Sequence, residues 1–141
     1  MEIVGNPEIS PMELHVFKNT TLQEVREQFS GCFPFLKLEF YLYRHHSEDV
    51  HFTKEVYKGL YLEKTSAFFK EGTIYFSPTT LVTELEQEFQ IELGVAAKVF
   101  RRSEGSAWVD TTQTAHLSLA KQNSIGSAMA KPQFNKYTLF L

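Results

Sequence analysis

The sequence contains one cysteine, Cys32, so it cannot build an intramolecular disulfide framework. It has no apolar run near the roughly 18–20 residues that a membrane-spanning helix needs. Its first residues show neither the basic region nor the apolar region of a signal peptide. These absences predict a cytoplasmic protein without a membrane partner.

Basic charge is also scarce, because 14 Lys and Arg are outnumbered by 17 Asp and Glu, and the net charge is −3. A protein that binds a nucleic-acid backbone usually presents a basic stripe. The basic residues of this chain are scattered among acidic ones, which speaks against a nucleic-acid partner.

No familiar catalytic motif occurs in the chain. A glycine-rich phosphate loop, a His-Glu-x-x-His helix and a serine nucleophile elbow are all missing from the sequence. We therefore assign no catalytic residue, expect no cofactor and favour a protein that is not an enzyme.

A strand–helix–strand pattern occurs twice, at 13–43 and at 73–102. Each copy has a short alternating strand, an amphipathic helix that starts at Thr-Thr-Leu, and a long apolar strand. Thr21 and Glu24 have the spacing of a capping box. The matched positions are Thr21 with Thr80, Phe29 with Phe89, and Gly31 with Gly94.

Two such units in series predict an α+β fold. The two βαβ repeats would form one ferredoxin-like antiparallel sheet with both helices on one face. A further strand at 107–111 would return as a hairpin partner and extend one edge of that sheet. A β-grasp arrangement is the alternative.

The length predicts a single domain, 1–141. It divides into repeat 1 at about 12–43, an insert at 44–72, repeat 2 at about 73–111 and a C-terminal extension at 112–141.

Aromatic side chains are abundant, since they make up 14% of the chain and include 13 Phe. One small core does not easily hide so many rings. The strand period places Phe17, Tyr41, Tyr43 and Tyr75 on the sheet face away from the helices. We expect a protein partner or a second copy of the chain to cover that face. The sequence thus predicts a non-catalytic interaction module, self-associating as a homodimer.

Four residues are candidates for a ligand site near the 101–108 hairpin, namely Arg101, Trp108, Gln122 and Asn123. An arginine beside a tryptophan can make a cation–π contact or hold an anion. The structural alternative is a charged edge strand that limits aggregation. A ligand site here would make the chain a small-molecule-binding protein or a small enzyme, which is the second functional hypothesis.

The densest group of metal-ligating residue types contains His45, His46 and His51. Its spacing matches no known metal motif, so we interpret it as a solvated loop and predict no metal site. Cys32 follows the end of a helix, where nothing lowers the pKa of a thiol. We therefore expect Cys32 to be a small buried residue and not a nucleophile.

One group of residues in the second half has a pattern that resembles a known family. It comprises Leu85, Glu86, Gln87, Glu88, Phe89, Gly94, Val99, Phe100, Arg101, Arg102, Ser103, Trp108, Thr111, Thr112, Gln113, Thr114, Leu119, Gln122, Asn123 and Gly126. The pattern resembles an uncharacterised protein family of Bacteroidetes-type bacteria, over about 80–126 and more weakly over 33–40. No activity is assigned to that family, so the resemblance implies a bacterial protein and adds no catalytic residue. Where the family has an acidic pair and then Trp, this chain has Ala115, His116 and Leu117.

Overall fold

The computed structural model describes residues 12–42, 50–51 and 59–130. Within these ranges, six strands and three α-helices form a mixed α+β fold, as the sequence predicts. The strands are β1 (Met12–Val16), β2 (Leu36–Leu42), β3 (Val50–His51), β4 (Gly72–Phe76), β5 (Ala96–Arg102) and β6 (Trp108–Asp110). The helices are α1 (Leu22–Cys32), α2 (Val82–Glu88) and α3 (Leu119–Ala130), with 3₁₀ turns at Leu62–Thr65 and Thr112–Thr114 and a π-helical turn at Phe89–Leu93.

The strands form two antiparallel sheets. A two-stranded ribbon pairs β1 with β4, and a four-stranded sheet has the order β3-β2-β5-β6. In a ferredoxin-like sheet β4 would lie between β1 and β2, whereas here β2 pairs with β5, so the ferredoxin-like arrangement is not confirmed. The edge strand expected from the hairpin is β6, which pairs with β5.

Strands that correspond in the two copies pair with each other. Leu14 of β1 lies opposite Ile74 of β4, and Leu38 of β2 lies opposite Val99 of β5. An antiparallel pair of equivalent strands has a twofold axis through its central residue pair. The two copies are therefore related by an approximate twofold axis that passes through both sheets.

The π-helical turn explains why the two copies differ in spacing. Phe29 and Phe89 are both fully buried and lie sixty residues apart, whereas Leu38 and Val99 lie sixty-one apart. A π-helical turn accommodates one extra residue within a helix. The second copy carries that residue at Phe89–Leu93, directly after α2.

Hydrogen bonds of the threonines before the two helices show that the predicted match of Thr21 with Thr80 is wrong by one position. Thr20 accepts a hydrogen bond from the amide of Phe17 at 2.8 Å, and Thr80 accepts one from the amide of Ser77 at 2.9 Å. Thr80 therefore corresponds to Thr20, and Thr21 corresponds to a leucine.

The repeated unit extends beyond the long strand. Leu62 donates its amide to the carbonyl of Thr20 at 2.8 Å, and Leu119 donates its amide to the carbonyl of Thr80 at 2.8 Å. Both leucines are fully buried. Each copy therefore ends with a segment that bridges back to the start of its own helix. We call 12–65 the first copy and the corresponding 72–122 the second copy.

Contacts between the copies close the core. The ring centroid of Phe76, in the second copy, lies 5.9 Å from that of Phe29 in the first. The centroid of Phe40, in the first copy, lies 5.9 Å from that of Phe89 in the second, with an edge-on geometry. Offset and edge-on ring pairs stabilise a core beyond the area they bury. One continuous core therefore includes residues of both copies.

The helix starts differ between the copies. Thr21 and Glu24 form the predicted capping box, in which each side chain accepts the other residue's amide at 3.1 and 2.8 Å. In the second copy the amide of Leu81 donates to Glu84 at 2.8 Å. A leucine side chain has no acceptor atom, so the second helix has half of the box.

The helix ends differ too. Gly94 follows the π-helical turn with φ of 70°, the left-handed conformation in which glycine is favoured. Gly94 thus ends the second helix. The matched Gly31 lies within α1, which continues to Cys32.

Candidate functional site

A groove of about 500 Å³ lies between α2 and the beginning of β5. Its helical wall is a polar stripe of Thr83, Glu86, Gln87 and Gln90, at the spacing of one helix face. Its strand wall is formed by Ala96, Ala97 and Lys98, with Tyr41 of β2 beside them. The volume falls in the range of ligand sites in proteins. We call this cleft the α2–β5 groove.

The first copy seals the corresponding strand edge with its own helix. The hydroxyl of Ser30 donates to the carbonyl of Leu36 at 3.0 Å, and Nε of Arg26 donates to the carbonyl of Leu38 at 3.2 Å. Arg26 also donates to the side chain of Gln23 at 3.3 Å and lies 4.0 Å from the carboxylate of Glu39. Helix α1 and the edge of β2 are thus joined directly.

The second copy meets the same edge with different residues. Glu86 stands where the first copy has Arg26, and its Oε2 accepts the amide of Val99 at 2.9 Å. The strand position that corresponds to Leu36 is Ala97. A methyl group in place of an isobutyl group leaves space against α2, which contributes to the α2–β5 groove.

The backbone of β5 faces this groove over a short stretch. Successive strand residues point their amides and carbonyls to opposite sides. Val99 points away from β2, since its amide meets Glu86 and its carbonyl accepts the hydroxyl of Thr111 at 2.7 Å. Ala97 points to the same side, where β6 does not reach, because β6 pairs with residues 100–102 of β5. In the part of the chain that the structure describes, Ala97 thus has no strand partner at the groove.

Glu86 is the acidic residue in the described lining of the groove. Burial raises the pKa of this carboxyl above its ordinary value of 4.5, and the nearby charge of Asp110 adds to that. The hydrogen bond from Val99 and the charge of Lys98 act in the opposite direction without cancelling it. Lys98 is itself held by a hydrogen bond to Thr112 and by Asp110 at 3.8 Å.

Asp110 shows the opposite behaviour to Glu86. Its partial burial acts to raise the pKa, but hydrogen bonds from the hydroxyl and amide of Thr112, together with Lys98, hold the pKa below its ordinary value of 3.8. Asp110 therefore remains ionised near neutral pH and compensates the charge of Lys98.

The structure places three of the four predicted ligand-site residues together at α3. Nη1 of Arg101 donates to Oε1 of Gln122 at 2.8 Å, and Nε2 of Gln122 donates to the carbonyl of Thr114 at 2.7 Å. Oδ1 of Asn123 accepts the amide of Phe35 at 2.8 Å. These bonds fasten α3 to β5 and to the residues before β2. None of the three residues lines the α2–β5 groove.

Trp108 lies on β6, with cations over its ring. The guanidinium carbon of Arg102 is 5.6 Å from the ring centroid, and Nζ of Lys37 is 5.0 Å from it. The same Lys37 ammonium lies 2.7 Å from the buried carboxylate of Glu39. Trp108 thus makes cation–π contacts with Arg102 and Lys37.

The aromatic residues predicted to share one face are divided between the two sheets. Phe17 and Tyr75 are each 56% exposed, the first just beyond β1 and the second on β4. They line two smaller grooves, of about 320 and 330 Å³, at related positions in the two copies. Tyr41 belongs to the other sheet and lines the α2–β5 groove, and Tyr43 lies outside the described residues.

The metal and cysteine interpretations have different outcomes. His45 and His46 lie outside the described residues, and no group of three or more His, Cys, Asp or Glu within the described ranges could hold a metal ion. Cys32 is exposed at the last position of α1, so the prediction that it is buried is wrong. Partial burial raises the pKa of its thiol, which disfavours the thiolate.

Among the residues described, no helix combines the length and the apolar character needed to cross a membrane. Apart from Tyr41, the residues of the α2–β5 groove were not among the candidates from sequence. One signal in the sequence was a pair of small residues, Ala96 and Ala97, because the corresponding strand of the first copy has bulky residues at these positions. The other signal was the opposite charge of two matched helix residues, Arg26 in the first copy and Glu86 in the second.

Three comparisons with known proteins were made for the whole chain. No family model, no curated protein and no solved structure matches it. The chemistry of the groove therefore has to be inferred from the residues that build it.

Proposed function

We propose that this chain is a non-catalytic interaction module that binds a short extended segment of a partner protein in the α2–β5 groove. The single observation that carries the proposal is the strand edge at Ala97. Its amide and carbonyl lie beside a polar helix face and have no strand partner in the described chain. An added strand can pair with such an edge, while a helix beside it selects the side chains.

The dimensions of the groove limit the bound segment. The helical wall runs from Thr83 to Gln90, which at 1.5 Å per residue is about 10 Å. An extended chain rises about 3.3 Å per residue. The groove therefore accommodates about three residues of an extended segment, with affinity supplied by few contacts.

Two further parts of the proposal concern origin and location. The resemblance over about 80–126 supports membership of the Bacteroidetes-type bacterial family. The single cysteine supports a cytoplasmic location, since disulfide bonds are characteristic of secreted domains.

A library of displayed random heptapeptides, selected on the immobilised full chain, tests the groove. Enriched peptides are then titrated into ¹⁵N-labelled protein. We expect the amide signals of Ala96, Ala97 and Lys98 to shift together with those of α2. Shifts confined to other elements, or a library without enrichment, would contradict the proposal.

A pair of matched variants sharpens the test. Gln87→Trp fills the groove from an exposed helix position and should abolish peptide binding. Glu27→Trp makes the same change at the corresponding exposed position of α1 and should leave binding unchanged. Equal binding by both variants would show that the peptides bind somewhere other than the α2–β5 groove.

Self-association is the second candidate function, and the exposure of Phe17 and Tyr75 favours it. Tyr75 lies on the ribbon and Phe17 directly follows β1, which also carries the exposed His15. Exposed aromatic side chains of this size often mark a contact surface. Light scattering should show a dimer that Phe17→Ser and Tyr75→Ser convert to a monomer. A monomer at all concentrations would exclude this candidate.

A further inference from the structure

The first copy shows which chemical group fits between the helix and the strand edge. There the chain supplies a guanidinium, that of Arg26, which reaches the carbonyl of Leu38 at 3.2 Å. Its charge is balanced by Glu39, 4.0 Å away on the same strand. The side chain is only 17% exposed, so this space holds a cation within the protein.

The second copy has an anion where the first copy has this cation. Glu86 occupies the position of Arg26, and its Oε2 is used by the amide of Val99. Within the described residues, its other oxygen takes no hydrogen bond, and the side chain lines the groove. Lys98 is the one cation in the described lining, and Asp110 and Thr112 already hold it.

We infer that the segment bound in the α2–β5 groove carries a basic residue, best an arginine, whose guanidinium pairs with Glu86. This inference rests on the proposed function and names the chemistry of the partner. A planar guanidinium can bind the free carboxylate oxygen and still donate to a neighbouring carbonyl, as Arg26 does in the first copy. The carbonyl that corresponds to that of Leu38 belongs to Val99 and already accepts the hydroxyl of Thr111. The acceptor for the guanidinium is therefore the carbonyl of Ala97, two residues earlier on the same side of β5.

Burial of Glu86 supports the same partner. A carboxylate removed from water is stabilised when an opposite charge reaches it. The charged groups that act on Glu86 are Lys98 and Asp110, which shift its pKa in opposite directions, and Lys98 is already held by Asp110 and Thr112. The Glu86 carboxyl lines the groove with one oxygen bound to Val99, and a cationic side chain complements the other.

The enriched heptapeptides from the library are the probes for this inference. We expect one position in the enriched sequences to be fixed as Arg or Lys. Replacing that arginine with citrulline, a neutral group of the same shape, should weaken binding about tenfold, since a charge-assisted bond is lost. The loss should show in the titration of the Ala97 and Lys98 amides.

Glu86→Gln is the matched change in the protein. Glutamine keeps an acceptor for the amide of Val99 but removes the charge. We expect it to weaken the arginine peptide about tenfold and to leave the citrulline peptide unchanged, so that the two losses are not additive. Independent, additive losses would overturn the pairing with Glu86.

The outcomes separate this inference from the proposed function. Enrichment of peptides that shift the Ala97 amide but have no fixed basic position would overturn the inference and leave the groove as a binding site. Agmatine is a guanidinium compound without a peptide backbone. If it bound as tightly as the enriched peptides, this would overturn the proposal of a bound segment and support a small-molecule site. If no peptide shifts the groove, both the inference and the proposed function fail.

Discussion

The two copies of the repeated unit use the same strand edge in opposite ways. In the first copy Ser30 and Arg26 join α1 to the edge of β2, so that helix and strand form one closed surface. In the second copy Glu86 bonds to Val99 and a groove lies beside Ala97. The difference teaches that two copies of one unit can keep the same strands and helix while one closes the strand edge and the other leaves a groove beside it.

The helix ends provide the largest expected contrast between the copies. A Cβ on Gly94 would lie 2.1 Å from the carbonyl oxygen of Phe68, and the backbone there has φ of 70°. Gly94→Ala should lower the free energy of unfolding by about 3–5 kcal/mol, because it adds left-handed strain to a clash with backbone. Urea denaturation of the full chain measures this loss.

Gly31→Ala is the matched change in the first copy. A Cβ at Gly31 has no neighbour within 4 Å, and the residue lies in helical conformation within α1. Alanine should therefore raise the free energy of unfolding by about 0.5–1 kcal/mol. Destabilisation by both variants would show that the two helix ends are alike, against the structure.

A second contrast concerns the residues that fasten the end of each copy. Gln122 is fully buried and links Arg101 to Thr114. Gln122→Met keeps the volume but leaves the Nη1 donor of Arg101 and the two oxygen acceptors of Thr114 without this partner. We expect a loss of about 2–3 kcal/mol in the free energy of unfolding.

Thr65 is the corresponding residue of the first copy, and its hydroxyl donates to the carbonyl of Leu62 at 2.9 Å. Thr65→Val removes this one bond and should cost about 1 kcal/mol. Chemical denaturation of both variants measures the two losses in the free energy of unfolding. A larger loss at Thr65 than at Gln122 would contradict the structural role given to the Gln122 cluster.

The local features of the fold were predictable because neighbouring residues specify them. The spacing of Thr21 and Glu24 identified the capping box, and the turn before Trp108 identified the edge hairpin. The order of elements within the two strand–helix–strand units followed from hydrophobic periodicity. These signals act within a few residues and do not depend on the rest of the chain.

Strand pairing and the groove were not predictable in the same way. An apolar strand face can pack equally well against several partners, so the periodicity of Leu36 or Leu38 does not say that β2 pairs with β5. The extra residue of the π-helical turn also shifted the match of the two copies. In the sequence Ala97 resembles any other strand residue, because the sequence does not show that it lies beside α2.

The helix starts give a third and smaller contrast. Thr21→Ala removes an N-cap acceptor and should lower the free energy of unfolding by about 1 kcal/mol. Leu81→Thr supplies the missing acceptor in the second copy and should raise it by about 0.5 kcal/mol. Thermal unfolding of both variants measures the two shifts. A loss at Leu81 as large as at Thr21 would mean that the leucine contributes more by packing than a cap restores.

The smallest expected effect is a pH dependence of the stability, caused by Glu86, which the second copy has where the first copy has Arg26. Burial raises the pKa of Glu86, so above pH 4.5 the folded chain holds this proton more tightly than the unfolded chain. The native state then binds more protons, and the contribution of Glu86 to stability falls as the pH rises through its raised pKa. Glu86→Gln cannot ionise, so its stability relative to the natural chain should increase over that interval.

Asp110 provides the control with the opposite sign. Its folded pKa lies below 3.8, because the hydrogen bonds from Thr112 and the charge of Lys98 outweigh the effect of burial. Its contribution to stability is present above pH 3.8 and is lost as the pH falls through the lowered pKa. Asp110→Asn should therefore be most destabilising near neutral pH and nearly neutral in acid. Urea denaturation of both variants between pH 3 and pH 7 should give slopes of opposite sign. Parallel slopes would mean that burial does not raise the pKa of Glu86, and they would weaken the proposed pairing of Glu86 with a basic residue.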